Sequence, residues 1–215
     1  MEKKHQITEK QLAFLERFLK KYNFGSEDDK VELIDHVVLD FEENGNGNLS
    51  QYLSEELGFI KKFIGSKLKV IHKNYRRKTI DEAISFFTSI KKLPITIVVF
   101  LSVYLLTRYL NGTVLIGSFY VSVLSFFIYS QFFLNIKKKD KKKLDRIEYL
   151  GQEMWLPYLM MSFPFQLSVT TDFMLINSVF FSVYWFVAIT YSVAAIIVMK
   201  KEKKIIYEKY KHLLN

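Results

Sequence analysis

The chain has 215 residues, 50% of them hydrophobic and 16% aromatic, and no cysteine. Disulfides, thiolate catalysis and cysteine-ligated zinc are therefore excluded. Its net charge of +9 is unevenly spread: residues 1–60 hold 13 acids and 7 Lys/Arg, the remainder 9 acids and 24 Lys/Arg. The basic groups of the second part flank apolar runs, so membrane topology accounts for them and no nucleic-acid partner is expected.

The first 30 residues hold no apolar core of signal-peptide length, so no cleaved signal is expected. Residues 7–22, "ITEKQLAFLERFLKKY", predict a helix. Thr8 and Gln11 suit a capping box, and Ile7 can staple onto Leu12. Leu12, Leu15, Phe18, Leu19 and Tyr22 share one face. Gly25 ends this helix, and Ser26 with Asp29 opens the next.

"VELIDHVVLDFEE", residues 31–43, gives two separate arcs at about 100° per residue. Asp29, Glu32, His36, Asp40 and Glu43 form an acidic arc. Leu33, Ile34, Val37, Val38, Phe41 and Val31 form an apolar one, and Leu39 falls among the charges. Carboxylates around a histidine at this spacing can ligate a metal through Glu32, His36 and Asp40. A single helix face supplies few ligands, so the solvated side of an amphipathic helix is the simpler reading. The five residues stand as a candidate partner face or weak metal face. No catalytic residue, resident metal or cofactor is assigned.

"NGNGN", 44–48, predicts a loop, and 50–64 a third helical segment bent near Gly58. Residues 1–65 make a small helical head, close to the lower size limit for independent folding. Its "E-L-x-D-H" segment at 32–36, the Asn/Gly loop and "L-x-E-E-L-G" at 53–58 resemble the small helical HAAS-type domain. That domain precedes transmembrane helices in bacterial membrane proteins often encoded beside PadR-type regulators. The resemblance covers roughly residues 7–65 and implies a membrane-anchored regulatory module. It carries over no catalytic residue. Phe59 departs from the pattern, in which a polar residue or proline follows the glycine.

Residues 66–92 read as a basic linker, "KLKVIHKNYRRK", and a juxtamembrane helix, "TIDEAISFFTSIKK", capped by Thr79 and Glu82. Ile80, Ala83, Ile84, Phe87 and Ile90 share a face. It suits either the membrane interface or the stripe Ile206, Tyr210, Leu213 and Leu214 of the basic tail 200–215.

Four spans follow, at about 93–110, 113–135, 154–171 and 174–199, so the fold class is all-α: a helical head and a four-helix transmembrane bundle. The third is shorter and contains Pro157 and Pro164; a re-entrant segment there would leave three spans. Lys91 and Lys92, then Lys137, Lys138, Lys139, Lys141, Lys142 and Lys143, then Lys200 and Lys201 mark the cytoplasmic ends, where they can contact anionic lipid. Both termini are expected inside, with "RYLNGT" and "TTD" outside. Small residues recur four apart at Ser118/Ser122, Ser178/Ser182 and Ala188/Ser192, as in close helix contacts, so self-association is also open. Trp185 is expected inside the bundle, Trp155 and Tyr109 at the interface.

No Asp, Glu, Lys or His lies mid-span, while Arg108 and Asp172 lie at the outer edge. Ion-coupled transport and intramembrane catalysis by this chain alone are unsupported. The expectation is a non-enzymatic regulatory or scaffolding protein of the bacterial cytoplasmic membrane, with a lipid bilayer and a protein partner at its acidic head. The runner-up is an accessory or permease-type subunit of a transport complex, and a membrane enzyme using the His36 face comes third. The acidic face is expected to stand off the membrane or to dock on one of the basic segments 66–78, 137–146 or 200–211.

Overall fold

The computed structural model describes residues 6–22, 24, 27–134, 153–162, 174–209 and 211. Among them every regular element is helical: α1 (Glu9–Leu19), α2 (Glu27–Asn44), α3 (Leu49–Glu55), α4 (Leu57–Thr88), α5 (Leu93–Tyr109) and α6 (Gly112–Tyr129). A π-helical turn, Ser130–Leu134, extends α6; α7 (Trp155–Ser162) and α8 (Ser178–Lys209) follow. Two compact units result, one holding α1–α3 and α4 as far as Lys73, the other running from Asn74 through the remaining helices.

The first unit starts as its sequence requires. The Thr8 hydroxyl accepts from the Gln11 amide at 3.3 Å, and the Gln11 side chain accepts from the Thr8 amide at 2.9 Å, completing the capping box. Leu15 and Leu19 of α1 are fully buried, and Ile7, Phe18 and Tyr22 pack around them. From α2 come Leu33, Val37 and Phe41, flanked by half-buried Ile34 and Val38. Val31 is instead 50% exposed, so the buried face is narrower than the apolar arc. Leu49, Tyr52, Leu53, Ile60 and Ile64 close the core. The expected cap at Gly25 and Ser26 lies outside the described residues.

The 44–48 loop owes its shape to two glycines. Gly47 has φ 85°, in the left-handed region. A Cβ on Gly45 would collide with the carbonyl and ring of Phe41. The helix break after α3 falls at Glu56, not Gly58, which sits inside α4 with open space around it.

Residues 66–92 correct the sequence reading most. In place of a linker and a separately capped helix, α4 is continuous for 32 residues. Thr79 is no N-cap: fully buried, its hydroxyl donates to the Tyr75 carbonyl 3.0 Å away within the helix. Between Gly65 and Pro94 the chain has no glycine or proline, so nothing interrupts the helix until Pro94 approaches. Pro94 has no N–H to continue the ladder and sits in the first turn of α5, where that loss is harmless. The chain bends by 91° between α4 and α5.

The second unit gathers α8 against α5, α6, α7 and the π-helical turn. Its core is aromatic: Phe119 is fully buried and meets Phe181, Tyr184 and Trp185 at centroid distances of 5.6, 6.1 and 6.0 Å. Trp185 is buried and donates to the Ser122 hydroxyl at 2.9 Å. The hydroxyls of Thr107 and Ser182 lie 2.5 Å apart, and Ala188 and Ser192 are fully buried. The small residues thus bring helices together and also supply polar partners. Trp155 and Tyr109 are exposed.

Among the described residues two helices are long and apolar enough to cross a membrane, Gly112–Phe132 and Ser178–Lys209; counting the bent α4–α5 pair as one span gives three. Of the third expected span only residues 154–162 are described, and Pro164 and Asp172 lie outside the described residues.

Candidate functional site

The five acidic-face residues of α2 do not converge on one point. Glu32 accepts from the Lys67 ammonium at 2.6 Å, and Asp29 lies 3.8 Å from the same nitrogen. The Glu32 hydrogen bond holds that ammonium above its usual value. Lys67 belongs to the basic 66–78 stretch, so part of the acidic face is met by that stretch within the first unit. Asp40 accepts from the Tyr52 hydroxyl and, at 2.8 Å, from Asn44. Those two bonds lower the Asp40 pKa, while burial and the carboxylate raise that of Tyr52.

His36 is exposed, with its ring edge-on to Phe59 at 5.2 Å. Glu43 is exposed. Among the described residues no group of three or more His, Asp or Glu side chains is close enough to hold a metal ion. Each would-be ligand instead has its own neighbour: Lys67 for Glu32, Phe59 for His36, Tyr52 and Asn44 for Asp40.

One acid of α2 escaped the sequence reading. Glu42 is buried at 5% exposure and accepts from the Ile7 amide at 3.2 Å. It ties the entry of α1 to the end of α2, a pairing across 35 residues that no local spacing reveals.

The second unit carries a polar cluster at the 91° bend. Glu82 accepts from Lys92 at 2.7 Å and from Lys201 at 2.8 Å, joining α4, the start of α5 and the end of α8. Burial alone would raise the Glu82 pKa, but the two ammonium groups outweigh it and hold it below the usual value. Lys92 also donates to the Ser85 hydroxyl at 2.7 Å, and Lys78 pairs with Glu202 at 2.6 Å. Lys200 lies 5.5 Å over the Tyr129 ring, and Lys91 is exposed. Lys137, Lys138, Lys139, Lys141, Lys142 and Lys143 lie outside the described residues.

The tail therefore meets α4 through Lys78 and Glu82. Ile80, Ile84, Phe87 and Ile90 remain 43%, 52%, 52% and 89% exposed, so the described tail leaves this apolar row largely uncovered. A further carboxylate not expected as a site, Glu153, accepts from Tyr191 at 2.7 Å and lies 3.9 Å from Arg76. Arg108 donates to the Tyr104 hydroxyl at 3.2 Å.

No protein-family model matches the chain, nor does any curated protein or solved structure.

Proposed function

We propose that this chain is a multi-pass protein of the bacterial cytoplasmic membrane that acts as a non-enzymatic regulatory or scaffolding module. In this reading four spans, at about 93–110, 113–135, 154–171 and 174–199, leave both termini and the basic segments on the cytoplasmic side. The bacterial assignment and the regulatory role rest on the HAAS-type resemblance of residues 7–65.

The observation that carries the reading is the bend between α4 and α5. Beyond it stands an apolar helix; before it α4 exposes Ile80, Ile84 and Phe87, with Ile90 exposed in the turn itself. An exposed apolar row on a basic helix, turned 91° from an apolar helix, suits one lying in the interface beside one that enters the bilayer. Lys91, Lys92, Lys200 and Lys201 then face anionic headgroups. The first unit, with a core of its own, offers the α2 face, where His36 and Glu43 are exposed beside the already paired Asp29, Glu32 and Asp40, to a protein partner rather than to anionic lipid, which repels its carboxylates.

Affinity capture of the full chain from native membranes tests the function. Recovery of a transcriptional regulator supports it. Recovery of an ATPase points to the runner-up, an accessory or permease-type transport subunit. A chain that comes out alone counts against any partner-based role.

A further inference from the structure

Beside the Glu82 cluster, α5 and α8 part to leave an apolar groove of about 130 Å³, walled by Phe86, Ile95, Val99, Ile189 and Val193, with Lys92 on its lining. Thr96 and Thr190 also line it, yet their hydroxyls are turned away. Thr96 donates to the carbonyls of Phe86 and Lys92, and Thr190 to that of Phe186. Each spent hydroxyl leaves the residue's methyl group as its apolar surface. The volume is close to the roughly 150 Å³ of an apolar cavity that takes up benzene, so a short stretch of hydrocarbon fits.

The charge beside it is net positive. Lys92 and Lys201 share the Glu82 carboxylate and Lys91 adjoins Lys92 in sequence, while Lys78 and Glu202 offset each other, leaving the cluster cationic. We infer that this groove lodges part of one acyl chain of an anionic phospholipid, whose headgroup rests at Lys92 and its neighbouring lysines. A two-fold contact with a second copy is the poorer occupant, because it would set the same cationic patch against itself. This rests on the membrane reading above and adds to it a defined lipid site with headgroup preference.

The test uses the full chain in bilayers of equal parts phosphatidylglycerol and phosphatidylcholine with identical acyl chains, extracted gently and weighed by native mass spectrometry. The expected spectrum retains phosphatidylglycerol over phosphatidylcholine by about tenfold or more, from several lysines acting together. Val193→Phe, which fills the groove, should abolish retention. Val99→Met, a milder filling, should weaken it if the first variant folds poorly by helix content. Lys92→Gln should reduce the headgroup preference. Equal retention by wild type and both groove variants overturns the site, as does retention without headgroup preference. A lipid-free dimer that Val193→Phe dissociates would assign the groove to a second copy instead. A chain that does not enter the bilayer at all would overturn the membrane reading itself, an outcome distinct from an inserted chain without bound lipid.

Discussion

The His36 ring stands edge-on to Phe59, centroids 5.2 Å apart and planes at 65°. The histidine belongs to the "E-L-x-D-H" segment at 32–36, and Phe59 directly follows Gly58. Such an aromatic pair contributes about 0.5–1.5 kcal/mol beyond buried area. His36 is exposed, so His36→Ala should cost no more than about 1 kcal/mol. Most of that cost should vanish in a Phe59→Ala background. A double-mutant cycle on amide-exchange protection of α2, in the full chain, measures it. Tight stoichiometric metal lost with His36 would instead restore a ligand role.

Phe41 lies at the opposite extreme. It is 1% exposed, packs edge-on to Tyr52 at 5.3 Å, and closes against Gly45. Phe41→Ala should destabilise the first unit by about 3–5 kcal/mol. Gly45→Ala should also be damaging, because its Cβ meets backbone as well as ring. Gly58 and Gly65 have open space around them inside α4, so alanine there should stabilise by about 0.5–1 kcal/mol each. Exchange protection across α2–α4 ranks the four variants.

What the sequence made legible, and what it hid, divides along sequence distance. The capping box, the face of α1, the apolar face of α2 apart from Val31 and the burial of Trp185 depend on near neighbours or on hydropathy, and they stand in the structure. The Glu42–Ile7 and Glu82–Lys201 bonds join residues 35 and 119 apart, and spacing alone gives no register for them. Thr79 departs from its pattern for a different reason. A Thr-x-x-Glu pattern marks a helix start only where the chain before it is not already helical. The absence of any breaker between Gly65 and Pro94 was the available warning. Asp40, assigned to the solvated arc, is instead claimed by Tyr52 from α3.

That bond makes the first unit acid-sensitive. Asp40 has its folded pKa held below its usual 3.8, chiefly by the Tyr52 hydroxyl and then by Asn44. A depressed carboxylate contributes stability that is full above its unfolded value. The contribution is lost as pH falls through the lower, folded value. The unit should therefore loosen below about pH 4. Carboxyl NMR of the full chain should give an Asp40 midpoint below 3.8, moving up in Tyr52→Phe. An unchanged midpoint in that variant would remove Tyr52 as the cause.

Reporter fusions address the proposed topology directly. Sites at 112, 140, 172 and 215 should read outside, inside, outside and inside. An outside reading at 140 or 215 would contradict the lysine asymmetry on which the orientation rests. If 154–171 is re-entrant, only the last two readings change.

The bend offers the sharpest test of how the second unit is held. Glu82 is the one carboxylate that Lys92 and Lys201 share, and its side chain is only 12% exposed, whereas theirs are 36% and 62% exposed. Glu82→Gln keeps the shape and removes the charge, leaving both ammonium groups able to turn to water. The cost should therefore be modest, about 1 kcal/mol. It should be local, with faster amide exchange in 78–92 and 200–206 and little change around Phe119. Lowering the pH should mimic the variant. With its folded pKa depressed below the usual 4.5, Glu82 stabilises fully above that value and loses its contribution as pH falls through the folded one. High salt should loosen the same two segments only in part, because the carboxylate is mostly buried. Equal exchange in wild type and Glu82→Gln would mean that Pro94 and packing alone set the bend.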